Sequence, residues 1–289
     1  MQRLLAGRAG VINFTNYSDD GVATDSDNPS HLCNVRIEDV NGFVVVATTA
    51  ATRDSAGKWH YDVPASITED LGTYTAYWTY LVSAVAQVQT TQFDTCSTYL
   101  FDIPELRALD VALANTTAYP AETIRAARVN AEERIEKAAG LAFAQRGAQA
   151  VLTGDYTTRL VLPHVEVREI LGVSIDGDDL TEAELDELVL LSADGVLIHP
   201  SGWPDIINGI VIDYVHGLEV VPAPVKRATM LLAFEALVPS STSPRATSQS
   251  TDLGEFRISI ANYDAGRETG IPEVDAVIAS FGRRRPAVG

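Results

Sequence analysis

The stretch DLGTYTAYWTY, residues 70–80, decides how the N-terminal third of the chain folds. It is rich in threonine, tyrosine and tryptophan, which pack well on a pleated surface, so it predicts a β-strand. Three further runs have strand patterns, 31–40, 42–47 and 59–63. Turn-forming clusters separate these runs. Short strands at regular spacing predict an all-β sandwich over residues 1–102.

The same stretch begins with the spacing of an immunoglobulin tyrosine corner, Asp70-x-Gly72-x-Tyr74. In that motif the tyrosine hydroxyl bonds to the backbone of an upstream loop and ties the strand to it. Antibody domains have a cysteine two residues after the tyrosine, whereas this chain has Ala76 there, and Cys33 has no evident partner. The N-terminal region therefore resembles an immunoglobulin-like (Ig-like) sandwich without its disulfide. An unrelated β-sandwich is the alternative.

The composition is that of a globular protein of roughly two domains, with 289 residues, 46% hydrophobic and 21% charged. The formal net charge of −18 argues against a free-standing nucleic-acid binder, which needs a basic surface. It does not exclude a protein through which nucleic acid passes without being bound. No apolar run approaches the ~20 residues that span a bilayer, and the N-terminus lacks the apolar segment of a secretory signal. We therefore expect no membrane association and reduced cysteines.

From residue 103 the hydrophobic period becomes helical. Pro104 suits a first helical turn, and a longer helix starts at Pro120. Its apolar stripe consists of Ile124, Ala127, Ala131, Ile135, Ala138 and Ala142. Strand patterns return at 158–162, 165–175, 185–191, 196–198 and 206–215, and a last helix covers 225–238. These patterns predict an α+β connector domain over 103–239, mainly helical with an inserted β-hairpin region.

Residues 240–252 form a polar linker of a length that often marks a functional arm. Residues 240–289 are therefore predicted to be a linker followed by an extended C-terminal arm. The complete prediction is an α+β multidomain chain divided into 1–102, 103–239 and 240–289.

No familiar catalytic or ligand-binding motif is present in the sequence. There is no phosphate-binding glycine loop, nucleophile elbow or zinc-ligand pattern, and the five histidines do not stand at metal-ligand spacings. The acidic run at 176–179 has Leu180 and Thr181 where a calcium loop needs an oxygen ligand and a glycine, so a hairpin turn is the better interpretation. We therefore predict no catalytic residue, no cofactor and no metal site.

A specific resemblance lies in the middle of the chain. Asp194-Gly195-Val196-Leu197 and Gly202-Trp203-Pro204 precede IVIDYVHGLEVVP at 210–222, and an Ala- and Leu-rich helix follows. This order, a strand ending in Tyr-x-His-Gly, a few residues, proline and a helix, resembles the head–tail adaptor (connector) proteins of long-tailed bacteriophages. Residues 262–264 and 269–275 also resemble the C-terminus of adaptors from actinobacterial phages.

The resemblance covers residues 103–289 and implies a structural virion protein, not an enzyme. Such adaptors form a twelve-fold ring beneath the portal in the phage neck, extend the DNA channel and connect the head to the tail. The implied partners are further copies of the chain, the portal protein and the next neck protein, a stopper or tail terminator. DNA would pass through without specific binding. The implied location is the virion neck, assembled in the host cytoplasm.

Two groups of residues are candidates for these contacts. The portal-docking arm contains Phe256, Ile258, Ile260, Ile271, Val274, Val277, Ile278, Phe281, Arg283, Arg284 and Arg285. An acidic loop that could face the channel contains Asp176, Asp178, Asp179, Glu182, Glu184, Asp186 and Glu187. The alternative for the arm is that it folds back on its own domain. The alternative functions are an Ig-containing adhesive or binding protein and an enzyme with an unrecognised site.

Overall fold

The structure, a computed structural model, describes residues 2–27, 31–238, 249–251, 254–256 and 269–282. The first eight strands are β1 Gln2–Leu5, β2 Gly10–Thr15, β3 Asn34–Glu38, β4 Val44–Ala50, β5 Thr52–Ser55, β6 Lys58–Val63, β7 Thr73–Val82 and β8 Val85–Cys96. The later strands are β9 Arg146–Leu152, β10 Arg159–Val161, β11 Val167–Ile175, β12 Asp178–Asp179, β13 Val189–Leu191, β14 Val196–Ile198, β15 Ile210–His216, β16 Gln249–Thr251 and β17 Gly254–Phe256. The α-helices are α1 Ile103–Arg107, α2 Ala121–Ala139, α3 Glu182–Asp186, α4 Ala223–Leu237 and α5 Pro272–Phe281.

The chain divides into two compact units, each built from two separate segments. The β unit consists of Met1–Thr98 and Ala144–Leu218, and the helical unit consists of Tyr99–Phe143 and Glu219–Gly289. The predicted boundaries at 102/103 and 239/240 differ from this division, because residues 144–218 belong with the N-terminal strands.

The N-terminal part of the β unit contains two sheets whose inward side chains share one core. One sheet has the order β1-β8-β7-β3-β4, with β1 parallel to β8, and the other has the order β2-β6-β5. The core is aromatic, and Phe14 stacks on Trp78 with 5.2 Å between ring centroids. Buried residues alternate with half-buried ones along β7, as the pleat of a strand requires, and the strand predicted for this stretch is confirmed.

The first of these sheets continues into the second segment of the β unit. β9 joins β8 through a single residue pair, Cys96 with Arg146, and the order continues through β15 and β11 to β12. Next to this pair, the Ser97 amide donates to the Gln145 carbonyl at 3.0 Å, and the Gln145 amide donates to the Ser97 hydroxyl at 3.1 Å. A second core, around Trp203 and Tyr214, lies between this half of the sheet and the small sheet β10-β14-β13.

The helical unit is held together by α2. Its apolar face packs against α4 and α5. A second stripe of the same helix, Arg128, Glu132 and Glu136, is polar and buried. Glu132 accepts the Leu100 amide at 2.8 Å and Glu136 accepts the Phe143 amide at 3.1 Å. This stripe therefore fixes the chain where it enters the helical unit and where it leaves it.

The predicted fold class is wrong. The described part of the chain contains more strand than helix, with a large curled antiparallel sheet and only five α-helices. The region from 103 to 239 is therefore not a mainly helical connector domain with an inserted hairpin. Its strands β9, β11 and β15 extend the sheet that begins in the N-terminal region. The helical patterns correctly predicted helices, but these amount to only two long helices in this region, α2 and α4.

The hydrogen bond expected of a tyrosine corner is also absent. The Tyr74 hydroxyl bonds to no described residue, and the Tyr74 ring stacks on Phe93 with 5.1 Å between centroids. Thr95 ties the loop instead, because its hydroxyl donates to the Asp70 carbonyl and accepts the Gly72 amide, both at 2.7 Å. The sequence motif therefore locates the loop correctly, but the side chain that holds the loop is Thr95 rather than Tyr74.

Candidate functional site

The residues that carry the family resemblance lie at the junction from the end of β15 to α4. The strand ends at His216, and Gly217 has a φ of 105°, a conformation that favours glycine. Pro222 then precedes the first turn of α4. The sequence prediction of a strand, a turn, a proline and a helix is confirmed here at the level of secondary structure.

His216 is buried in an aromatic stack. Its ring lies parallel to that of His164 with 3.8 Å between centroids, and His164 Nδ1 is 2.7 Å from the Tyr214 hydroxyl. Nδ1 of His216 makes no hydrogen bond to a described residue. Burial lowers the pKa of His216 to about 3, and the neighbouring His164 and Arg146 act in the same direction. His216 is therefore neutral at physiological pH, in agreement with a structural role.

The acidic loop forms an exposed surface of the β unit. Asp176 and Gly177 both have positive φ and connect β11 to β12 as a two-residue turn, so the hairpin interpretation is confirmed. Thr181 then begins α3 with a capping box, in which Glu184 accepts the Thr181 amide at 2.8 Å. All seven acidic side chains of the loop are exposed. Whether they face a channel stays a prediction.

The C-terminal arm is described in part. Val274 and Ile278 are buried in the helical unit, where α5 packs against α2 and α4. Phe281 contacts Phe143 edge-on, with 5.7 Å between centroids. Ile271 and Val277 are half-buried. Residues 269–282 therefore fold back on the chain's own helical unit, which was the alternative to docking on a partner.

One of the remaining arm residues lies in a described strand. Phe256 is the last residue of β17, which pairs with β16 as a short hairpin. Ile258, Ile260, Arg283, Arg284 and Arg285 lie outside the described residues. Docking of the arm on a portal protein stays a prediction.

A cleft of about 300 Å³ in the β unit was not foreseen from the sequence. It lies where the loop before β7 meets β9 and β15, and three carboxylates line it, Asp39, Asp70 and Asp213. The Gln149 amide donates to Asp213 at 3.0 Å and to Asn41 at 2.6 Å. Burial raises the pKa of Tyr74 on the cleft wall, and Asp70 and Asp39 raise it further.

The cleft depends on a glycine in β9. A Cβ at Gly147 would lie 2.0 Å from the Leu71 carbonyl oxygen, so only glycine allows this close approach. The lining residues come from distant parts of the sequence, and no spacing pattern connects them. Electrostatically the cleft favours a cationic group.

In the described part of the chain, no group of three or more histidine, cysteine, aspartate or glutamate side chains could hold a metal ion. Within residues 2–27, 31–238 and the shorter described segments, no helix has the length and apolarity to cross a bilayer. Cys33 and Cys96 are both buried and form no disulfide with each other.

Comparison with known proteins adds no assignment. No protein-family model and no curated protein sequence matches the chain.

Proposed function

We propose that the chain is a structural virion protein that forms a ring in the neck of a long-tailed phage, where it binds the portal and connects the head to the tail. The observation that carries the proposal is the junction between β15 and α4. Tyr214, His216, Gly217 and Pro222 occupy a strand end, a positive-φ turn and a helix start in the order that the resemblance implies. The expected ring has twelve copies.

Ring formation predicts a specific result for a mixture of this protein with the portal protein of the same phage. Native mass spectrometry should show twelve bound copies, and negative-stain images should show a ring with a central hole. Because each copy has a net charge of −18, the ring should form more readily as salt screens the repulsion. A portal complex that holds only one or two copies at any salt concentration would contradict the proposal.

The acidic surface predicts weak interaction with duplex DNA. The exposed carboxylates of 176–187 repel phosphate, which favours sliding of DNA over binding. At ~0.15 M salt, fluorescence anisotropy of a labelled duplex should therefore remain unchanged as the protein is added. Tight binding with the steep salt dependence of phosphate contacts would argue against a DNA channel.

A further inference from the structure

One strand of the β unit has an open and regular edge. β8 pairs with β7 through ten consecutive residue pairs, from Thr73 with Asp94 to Val82 with Val85, without a register shift. On its other side, β1 and β9 pair only with residues 93–96 of β8. Residues 85–92 therefore have no second strand partner in the described part of the chain. Alternate backbone amides and carbonyls of this segment point away from β7.

The chemistry of this edge is unusual for an exposed strand. Residues 85–92 read VAQVQTTQ, and the whole segment 71–93 contains no charged residue and no proline, although 21% of the chain is charged. The side chains of 85–90 are exposed, among them Val85 and Val88 at more than half of their surface. Proteins usually protect an open edge with lysine, proline, a bulge or a covering segment. None of the first three devices occurs in β8.

The opposite edge of the same sheet provides a contrast. β4 is also uncharged, but its pairing with β3 has two register irregularities, between Val35 and Ile37 and between Ile37 and Glu38. Such irregularities twist an edge and disturb further pairing. The two edges of the sheet therefore differ, because the pairing of β4 with β3 is irregular whereas the pairing of β8 with β7 is regular.

We propose that β8 of one copy pairs antiparallel with β8 of a second copy, which joins their sheets across a two-fold axis. A neutral edge favours another copy of this chain, because two molecules of net charge −18 repel each other least where the contact surface carries no charge. Pairing along 85–92 places no like charges opposite each other, and both strands offer the same regular ladder. Isologous contacts of this kind are the commonest in homo-oligomers. The inference does not depend on the phage assignment.

Symmetry gives a sharp test. In an antiparallel pair related by a two-fold axis, one residue lies directly opposite its own copy. A single cysteine introduced at that residue cross-links the two copies, whereas its neighbours along the strand do not. The test uses four variants of the full chain, Gln87→Cys, Val88→Cys, Gln89→Cys and Thr90→Cys, under mild oxidation. The native Cys33 and Cys96 are buried, so they give little background.

One of the four variants should form a disulfide-linked dimer at least about tenfold faster than Thr116→Cys, a variant at an exposed position of the helical unit, because pairing raises the local thiol concentration. Rates for all four equal to that of Thr116→Cys would overturn the proposal. The proposal would also be overturned if a β8 variant formed a cross-link only when it was mixed with Thr48→Cys. That result would mean that β8 of one copy pairs head-to-tail with β4 of another.

A charge substitution provides a second, independent readout. Lysine at whichever of residues 87–90 forms the cross-link puts two ammonium groups opposite each other at the axis, so analytical ultracentrifugation should show a dimer that is weakened about tenfold or more. Thr116→Lys changes the net charge equally and should leave the dimer unchanged. Native protein that stays monomeric as its concentration is raised, or an equal effect of both lysines, would contradict pairing along β8.

Discussion

Replacement of Val274 by aspartate should unfold the helical unit at a much lower temperature than in the native protein. Val274 is fully buried where α5 packs against α2 and α4, so the variant must either bury an unpaired carboxylate or release the helix. The expected loss is roughly 3 to 5 kcal/mol of unfolding free energy, at the upper end for single substitutions. Circular dichroism of the helical signal during thermal unfolding measures it.

The matched control for this prediction is Ala276→Asp, which adds the same charge to an exposed position of the same helix. It should change the free energy of unfolding by only about 0.5 kcal/mol. If Val274→Asp unfolds like the control but no longer binds a portal protein, the apolar face of α5 serves a partner rather than the chain's own helical unit.

Mild acid should destabilise the protein through His216. The pKa of His216 is about 3 in the folded protein, against 6.5 for the unperturbed side chain. Between these values the unfolded state binds the extra proton, so stability is complete above pH 6.5 and falls as the pH falls. The expected slope is about 1.4 kcal/mol per pH unit, or about 3 kcal/mol between pH 6.5 and 4.5. Urea unfolding at a series of pH values measures it.

His216→Phe keeps a flat ring against His164 and removes the titrating group, so most of this slope should disappear. The control is His31→Phe, which makes the same replacement at an exposed histidine. The carboxyl of Asp25, whose pKa the hydrogen-bonded Arg53 lowers to about 2, affects stability only below this window. An unchanged slope in His216→Phe would show that other groups cause the acid sensitivity.

The sequence predicted best those elements whose residues interact with near neighbours in the chain. The alanine-containing stripe predicted α2, and the proline-led apolar segment 225–238 predicted α4, which covers Ala223–Leu237. The turn at 176–177 was predicted from its residue types. One local signal was missed, because Thr181 and Glu184 have capping-box spacing and begin a helix that extends into the first two residues of the strand predicted over 185–191.

The sequence could not predict how the strands join. β9 contains glycine and two alanines, which have low strand propensity, and it is a strand because β15 pairs along its whole length. Its contact with β8 joins residues fifty positions apart, Cys96 and Arg146. Without that contact the middle of the chain looked like a separate domain. The cleft at Gly147 was missed for the same reason, since its walls meet only in the assembled sheet.

The hydrogen-bonded pair of Ser97 and Gln145 has a consequence for how this protein could change during evolution. The 47 residues between them, 98–144, leave the sheet and return to it at one place. A segment whose ends lie side by side can be lengthened, shortened or exchanged without displacing the strands on either side. Related chains could therefore keep the β unit almost unchanged while they differ widely in the length and sequence of this excursion.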